Sequence, residues 1–204
     1  MQTIFNESRT KTNLMRAFAG ESQSRMRYYL AALTAQQQYL VGLERMFRFT
    51  AEQEEQHAKV FYELLKEPAG QMINIEADFP ADVYTDLRQL LEASANGEER
   101  EYAEVYPDFA RIAAEEGFAD ISRTFRMIAD IEDKHKHRFK YYADLMNKDM
   151  LFRSDNTEEK WMCLNCGHIH TGSEPPQNCP VCGVKQGFYV REAEAPFTDH
   201  FMSS

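Results

Sequence analysis

Four stretches of this chain carry an apolar stripe at helical spacing, and each stripe is broken by acids near its middle. Read at alternating steps of four and three, one helix face of the first stretch runs Leu14, Phe18, Glu21, Arg25, Tyr28. The second gives Leu43, Phe47, Thr50, Glu54, His57, Phe61, Leu64. The third gives Leu87, Leu91, Ser94, Glu98, Glu101, Val105, and the fourth Ile121, Phe125, Ile128, Glu132, His135, Phe139, Tyr142, Met146. Faces this apolar must be buried against one another, and the acids go inside with them. A bare carboxylate in such an interior is strongly unfavourable unless it is neutralised or paired. Glu21, Glu54, Glu98, Glu101 and Glu132 converge on one level, with Arg25 as the nearby basic candidate.

Two of the interruptions are Glu-x-x-His pairs, EEQH at 54–57 and EDKH at 132–135. Three residues make most of a helical turn, so each Glu shares a face with its His. A single such pair is a common surface contact. Two in core stripes, joined by mid-stripe acids on the other two helices, call for a different explanation. Hydrogen bonds alone cannot hold these charges together, whereas two divalent or trivalent ions can. Carboxylate oxygens with imidazole nitrogens suit iron or manganese. A Glu from each of two helices and a Glu-x-x-His from each of the other two is the donor set of dimetal carboxylate bundles. Tyr28 and Tyr106 are candidate hydrogen-bond partners of the carboxylates. Glu99, Glu104 and His137 fall off the stripes and are expected at the surface.

The periodicity predicts helices at about 9–37, 40–66, 83–115 and 119–147. Gly117 is placed to end the third, and Pro107 inside it should kink it or loosen one turn. EPAGQMINIEADFP, between the second and third, is too long for a tight turn. Four helices with one long connection match a ferritin-type bundle. Two separate helical hairpins would leave the crossover unexplained.

Composition changes near residue 148. Most of the prolines and all four cysteines lie beyond it, which predicts a helical domain over 1–148, a polar linker over 149–160 and a second domain over 161–204. Cys163-x-x-Cys166 and Cys179-x-x-Cys182 each aim two sulfurs at one ion, and four thiolates in a tetrahedron hold zinc or a single iron. Gly167 and Gly183 follow each pair, where the turn needs positive φ. A unit of about 40 residues has too little core to fold unaided. Trp161, Phe188 and Tyr189 are its candidate core; His168 and His170 find the site already full. Spacing does not choose the metal, but a dimetal site that cycles needs electrons, and iron beside it can deliver them one at a time.

The net charge of −10 argues against nucleic acid and against an anionic membrane surface. No apolar run approaches the ~18 residues of a membrane span. MQTIFNESRTK has no apolar core of a secretory signal, so a cytoplasmic location with reduced cysteines is expected.

The segments NLMRAFAGESQSRMRY, EEQHAKV, GEEREYAEVYPDFARIAAEEGF, EDKHKHRF and CLNCGHIHTGSEPPQNCPVCG resemble, in order and spacing, those of the rubrerythrin family. The resemblance covers nearly the whole chain. It implies an all-α, ferritin-like four-helix bundle with a long crossover, followed by a small rubredoxin-like metal-bound β/loop domain. It implies di-iron ligands at Glu21, Glu54, His57, Glu98, Glu101, Glu132 and His135, with Tyr28 and Tyr106 beside them. It further implies a rubredoxin-type iron on Cys163, Cys166, Cys179 and Cys182. Glu101 matches the family's extra carboxylate, which exchanges one iron with the histidine at position 57 on reduction. Val105 stands where the family often has Met, away from any ligand. The implied function is a non-haem peroxidase that reduces hydrogen peroxide to water in oxidative-stress protection. Its electrons would come from NADH through a separate reductase, directly or by way of a rubredoxin. The family is usually a homodimer in which one subunit's thiolate iron serves the other's di-iron site. An iron-storage role would leave the attached electron donor without a use.

Overall fold

The computed structural model describes residues 4–196. Helix α1 (Arg9–Gln37) starts on Ser8, whose side chain accepts from the Lys11 amide, satisfying one of the unpaired amides of the first turn. Tyr39, at φ 57°, reverses the chain into α2 (Val41–Glu63). With a connection this short, α1 and α2 pack antiparallel along their length. Residues 64–86 then cross the bundle without regular helix. Asp86 caps α3 (Leu87–Arg100) by accepting from the Arg88 amide at 2.7 Å. A wide π turn (Glu101–Val105) leads into α4 (Tyr106–Glu115), with Pro107 in its first turn. Pro107 has no N–H to donate, and the loosened turn falls directly before it. Gly117, at φ +90°, closes α4, and α5 (Ala119–Asn147) returns along α3 and α4.

The apolar stripes pack as expected, but into two clusters rather than one. Leu43, Phe47, Leu87, Leu91, Phe139 and Tyr28 belong to the first, and Leu14, Phe61, Tyr106, Phe125 and Ile128 to the second. Phe47, Phe61, Phe125 and Phe139 are fully buried, worth about 1.5–3 kcal/mol each. Along every helix the acids fall between the two clusters, so the bundle has a polar layer at its waist. Apolar burial on both sides provides the free energy that holds such a layer shut.

The second unit is a three-stranded antiparallel sheet of order β2-β1-β3: β1 (Lys160–Cys163), β2 (Ile169–Thr171) and β3 (Tyr189–Arg191). Its core is Trp161, Cys163, Cys179 and Tyr189, with Phe188 packed alongside. The Trp161 indole donates to the Gly172 carbonyl at 2.8 Å. This unit sits against the α1–α2 corner and the end of α5. A Cβ on Gly187 would lie 1.9 Å from the Tyr39 carbonyl oxygen, and one on Gly42 would lie 2.6 Å from Val190, so both glycines serve close approach. Arg191 donates to the carbonyls of Met150 (2.8 Å) and Arg153 (2.7 Å) and lies over the Trp161 ring. The chain between the units is thus tied down by the Arg191 side chain.

Candidate metal centres

Glu21 from α1, Glu54 and His57 from α2, Glu98 from α3, and Glu132 and His135 from α5 meet in the polar layer. The four acids and His135 are fully buried, and His57 nearly so. Their donor atoms form two overlapping groups: Glu21, Glu54, His57 and Glu132 in one, and Glu54, Glu98, Glu132 and His135 in the other. Glu54 and Glu132 belong to both. The two imidazoles stack across the layer with ring centres 5.6 Å apart.

The arrangement does not satisfy itself. Glu21 Oε2, Glu54 Oε1, Glu98 Oε2, both oxygens of Glu132 and His135 Nδ1 lack a hydrogen-bond partner. His135 Nδ1 stands 2.8 Å from Glu54 Oε1 and 2.8 Å from Glu132 Oε2, close, but not in hydrogen-bond geometry: the lone pairs face shared points. A buried unsatisfied polar atom costs about 1–3 kcal/mol. Six of them would offset most of the ~5–15 kcal/mol by which a domain is stable. Cations between the groups remove that penalty, so the residues present fit a pair of metal ions.

The same strain appears in the proton equilibria. Burial, with Glu132 and Glu54 nearby, pushes the Glu21 carboxyl up. Burial and Glu54 do the same to Glu98. Burial would also raise Glu54, but the His135 and His57 imidazoles beside it hold it below the usual carboxylate range. His57, opposed by burial, is raised by Glu132, Glu21 and Glu54. Two tyrosines brace the layer: Tyr28 donates to Glu98 and Tyr106 to Glu21.

Glu101 stands apart. It is half-buried and lies outside both groups; its own backbone is still α-helical, with its amide on the Gly97 carbonyl, and the chain widens beyond it. Its carboxylate faces a cleft beside Gly20, and burial with Glu132 and Glu54 pushes its pKa up to about 8. His57, not Glu101, faces the Glu21 group. Arg25 departs from expectation: it lies at the edge of the buried face of α1, which runs through Glu21, Ser24 and Tyr28, and pairs at the surface with Glu55 at 2.8 Å. The cation near the layer is Arg138. It donates to Thr50 Oγ1 (2.9 Å) and Gln53 Oε1 (3.0 Å), and Gln53 Oε1 also lies 3.1 Å from His135 Nε2. Sequence reasoning missed Gln53 and Arg138. Thr50, in the stripe beside them, was the available signal. His137 is exposed, as expected.

In the second unit the two cysteine turns repeat one hydrogen-bond pattern. The Cys163 amide donates to His168 and the Gly167 amide to Cys163; likewise Cys179 to Val184 and Gly183 to Cys179. Gly167 and Gly183 both sit at φ +77°. Cys163 Sγ lies 3.8 Å from Cys182 Sγ, and Cys166 Sγ 3.7 Å from Cys179 Sγ. A tetrahedron with metal–sulfur bonds of ~2.3 Å has edges of about 3.8 Å, whereas a disulfide needs ~2.05 Å. The cluster therefore fits one tetrahedral ion. Burial works against ionisation of Cys179, but the Tyr189 hydroxyl and the Cys182 and Val181 amides bring it down to about 5.

Fold and donor sets together define a class, a dimetal carboxylate bundle joined to a tetrathiolate module. The family model Rubrerythrin matches residues 12–143, and the model Rubrerythrin, rubredoxin-like domain matches 161–190. A rubrerythrin of Nitratidesulfovibrio vulgaris is 42% identical over 175 residues, covering 86% of this chain and 90% of the relative. One of Porphyromonas gingivalis is 39% identical over 190 residues, covering 93% and 92%. A solved structure of fully reduced, all-ferrous nigerythrin superposes with a TM-score of 0.60 at 27% identity, covering 93% of this chain and 92% of that one. The chain belongs to the rubrerythrin family. Its fold is the ferritin-like bundle with a rubredoxin-like domain, and its cofactors are a di-iron centre and one rubredoxin-type iron, which makes it an iron redox protein. No helix among the described residues is long and apolar enough to cross a membrane.

Proposed function

We propose that the chain is a non-haem peroxidase that reduces hydrogen peroxide to water. Glu21, Glu54, His57, Glu98, Glu101, Glu132 and His135 would hold the two irons, with Glu54 and Glu132 shared between them. Cys163, Cys166, Cys179 and Cys182 would hold the third. When bound and ferrous, the iron pair supplies the two electrons needed to cleave an O–O bond. The remaining work belongs to the chain. Tyr28 and Tyr106 fix the Glu98 and Glu21 carboxylates and keep their hydroxyl protons beside them. The apolar clusters on either side exclude bulk water from the layer. His57 stands within the Glu21 group and Glu101 at the cleft beside it, and the two would serve as alternative donors for the softer ferrous and harder ferric states.

The observation that carries this reading is the orphaned carboxylate layer in a chain that also contains a tetrathiolate electron-transfer module. Electrons would enter from NADH through a separate reductase, directly or by way of a rubredoxin. A homodimer in the cytoplasm is the expected working form. The test is anaerobic reduction of iron-loaded protein followed by stoichiometric hydrogen peroxide, with metal analysis and visible spectra. Oxidation of the irons with peroxide consumed is expected; reduced, fully loaded protein that leaves peroxide untouched would remove the reading.

A further inference from the structure

The layer is reached from outside by a cleft of about 590 Å³ between α1, α3, α4 and the crossover. Hydrogen peroxide occupies roughly the space of two waters, about 60 Å³, so the cleft is far larger than that substrate needs. It falls in the ~300–1,000 Å³ range of sites for organic molecules. Its inner wall is Glu101, beside the layer, and Tyr106, whose hydroxyl donates to Glu21. Gly20 keeps this end open, since a Cβ there would stand 3.8 Å from the Phe79 ring and 3.9 Å from Glu101 Oε1. The outer wall is aromatic, with Phe79 and Tyr84 from the crossover and Phe109 from α4. That wall is strapped in place. Arg16 donates to the Glu76 carbonyl at 2.9 Å, and Arg27 pairs with Asp82 at 2.7 Å in a half-buried bridge. Carboxylates outnumber guanidinium groups on the lining, which disfavours an anionic guest. A second, more open depression of about 490 Å³ lies on the His57 side, beside Phe49 and Gln56.

We infer that this cleft admits organic hydroperoxides with a compact, uncharged apolar tail, and that the chain reduces them to alcohols. The inference rests on the peroxidase reading and extends its substrate class. The tail lies against Phe79 and Phe109, and the hydroperoxide group reaches the layer past Gly20. The O–O bond breaks, two electrons come from the two ferrous ions and two protons from solvent: ROOH + 2 e⁻ + 2 H⁺ → ROH + H₂O.

The test uses the anaerobically reduced, iron-loaded full chain, mixed in a stopped-flow cell with cumene hydroperoxide and, separately, with hydrogen peroxide. Gly97→Leu fills the cleft from α3. A Cβ at Gly97 meets only the far end of Arg27, 3.7 Å away, and leucine favours helix over glycine, so the variant should fold. Both peroxides should oxidise the wild type. In Gly97→Leu the cumene hydroperoxide rate should fall at least ~10-fold, the lower end of what a blocked apolar pocket gives, with hydrogen peroxide changed less than about twofold. Wild type oxidised by hydrogen peroxide but not by cumene hydroperoxide overturns the inference and leaves the peroxidase reading standing. Equal slowing of both peroxides, or of neither, also overturns it. If neither peroxide reacts with wild type, the peroxidase reading fails. Cumyl alcohol soaked into crystals of the holoprotein then decides the cleft by itself: density between Phe79 and Gly20 supports it as a binding site, and an empty cleft overturns it.

Discussion

The carboxylate layer draws its donors from four helices, and every one of them depends on distant packing. The thiolate cluster draws its four from two turns that share one local hydrogen-bond pattern. The first lies between two apolar clusters that together take residues from every helix. The second has Trp161, Tyr189 and the sulfurs themselves for a core. Metal therefore plays opposite parts in the two sites. In the bundle it relieves a penalty that folding imposes; in the small domain it supplies the free energy of folding.

The sharpest way to break that contrast is to take the metal away. Chelation, or Cys179→Ser, should unfold the small domain. Tetrahedral metal is worth about 10–16 kcal/mol to comparable peptides, more than so small a core can replace. The bundle should stay helical. Loss of Trp161 fluorescence anisotropy with retained far-ultraviolet circular dichroism is the expected signature; joint collapse would show that the contrast is false.

Next in size, Glu54→Ala removes a donor that both groups share. It should cost the bundle most of its iron while the thiolate iron remains, as read by metal analysis and the visible spectrum. Gln53→Ala, which frees His135 Nε2, should weaken bundle iron ~10–100-fold, the usual effect of losing a partner behind a ligand. Retained affinity would reduce Gln53 and Arg138 to packing.

The smallest effect is in the pH dependence of the metal-free bundle. The Glu101 pKa is raised from 4.5 to about 8 in the folded chain, by burial first and then by Glu132 and Glu54. The folded state therefore keeps a proton that the unfolded state releases. Glu101's contribution to stability is complete below about pH 4.5 and is lost as pH rises through about 8. Metal-free protein should accordingly melt several degrees lower at pH 9 than at pH 6, and Glu101→Gln should flatten that slope. Iron loading should abolish it, because the cations then replace the proton.

Much of the layer was legible because helical periodicity is a one-dimensional signal. Steps of four and three carry Glu21, Glu54, His57, Glu98, Glu132 and His135 to one level, and the folded chain puts them there. Pro107 announced the loosened turn, though not that it would widen over 101–105. The third helix was expected from about 83, but α3 begins at Leu87, after the Asp86 cap. Arg25 misled because the buried face of α1 passes through Ser24 and Tyr28 and leaves Arg25 at its edge, where its long side chain reaches Glu55. Gln53 and Arg138 had no periodic signature; their meeting depends on how α2 lies against α5. The crossover was likewise silent, since its conformation follows from Arg16 and Arg27 reaching across to it.

Anomalous diffraction at the iron edge, from crystals of iron-loaded protein, tests the cation-filled layer most directly. Two peaks should lie in the layer, either side of Glu54 and Glu132, with a third among the four sulfurs. A thiolate peak alone, with the layer's carboxylates protonated and hydrogen-bonded to one another, would contradict it.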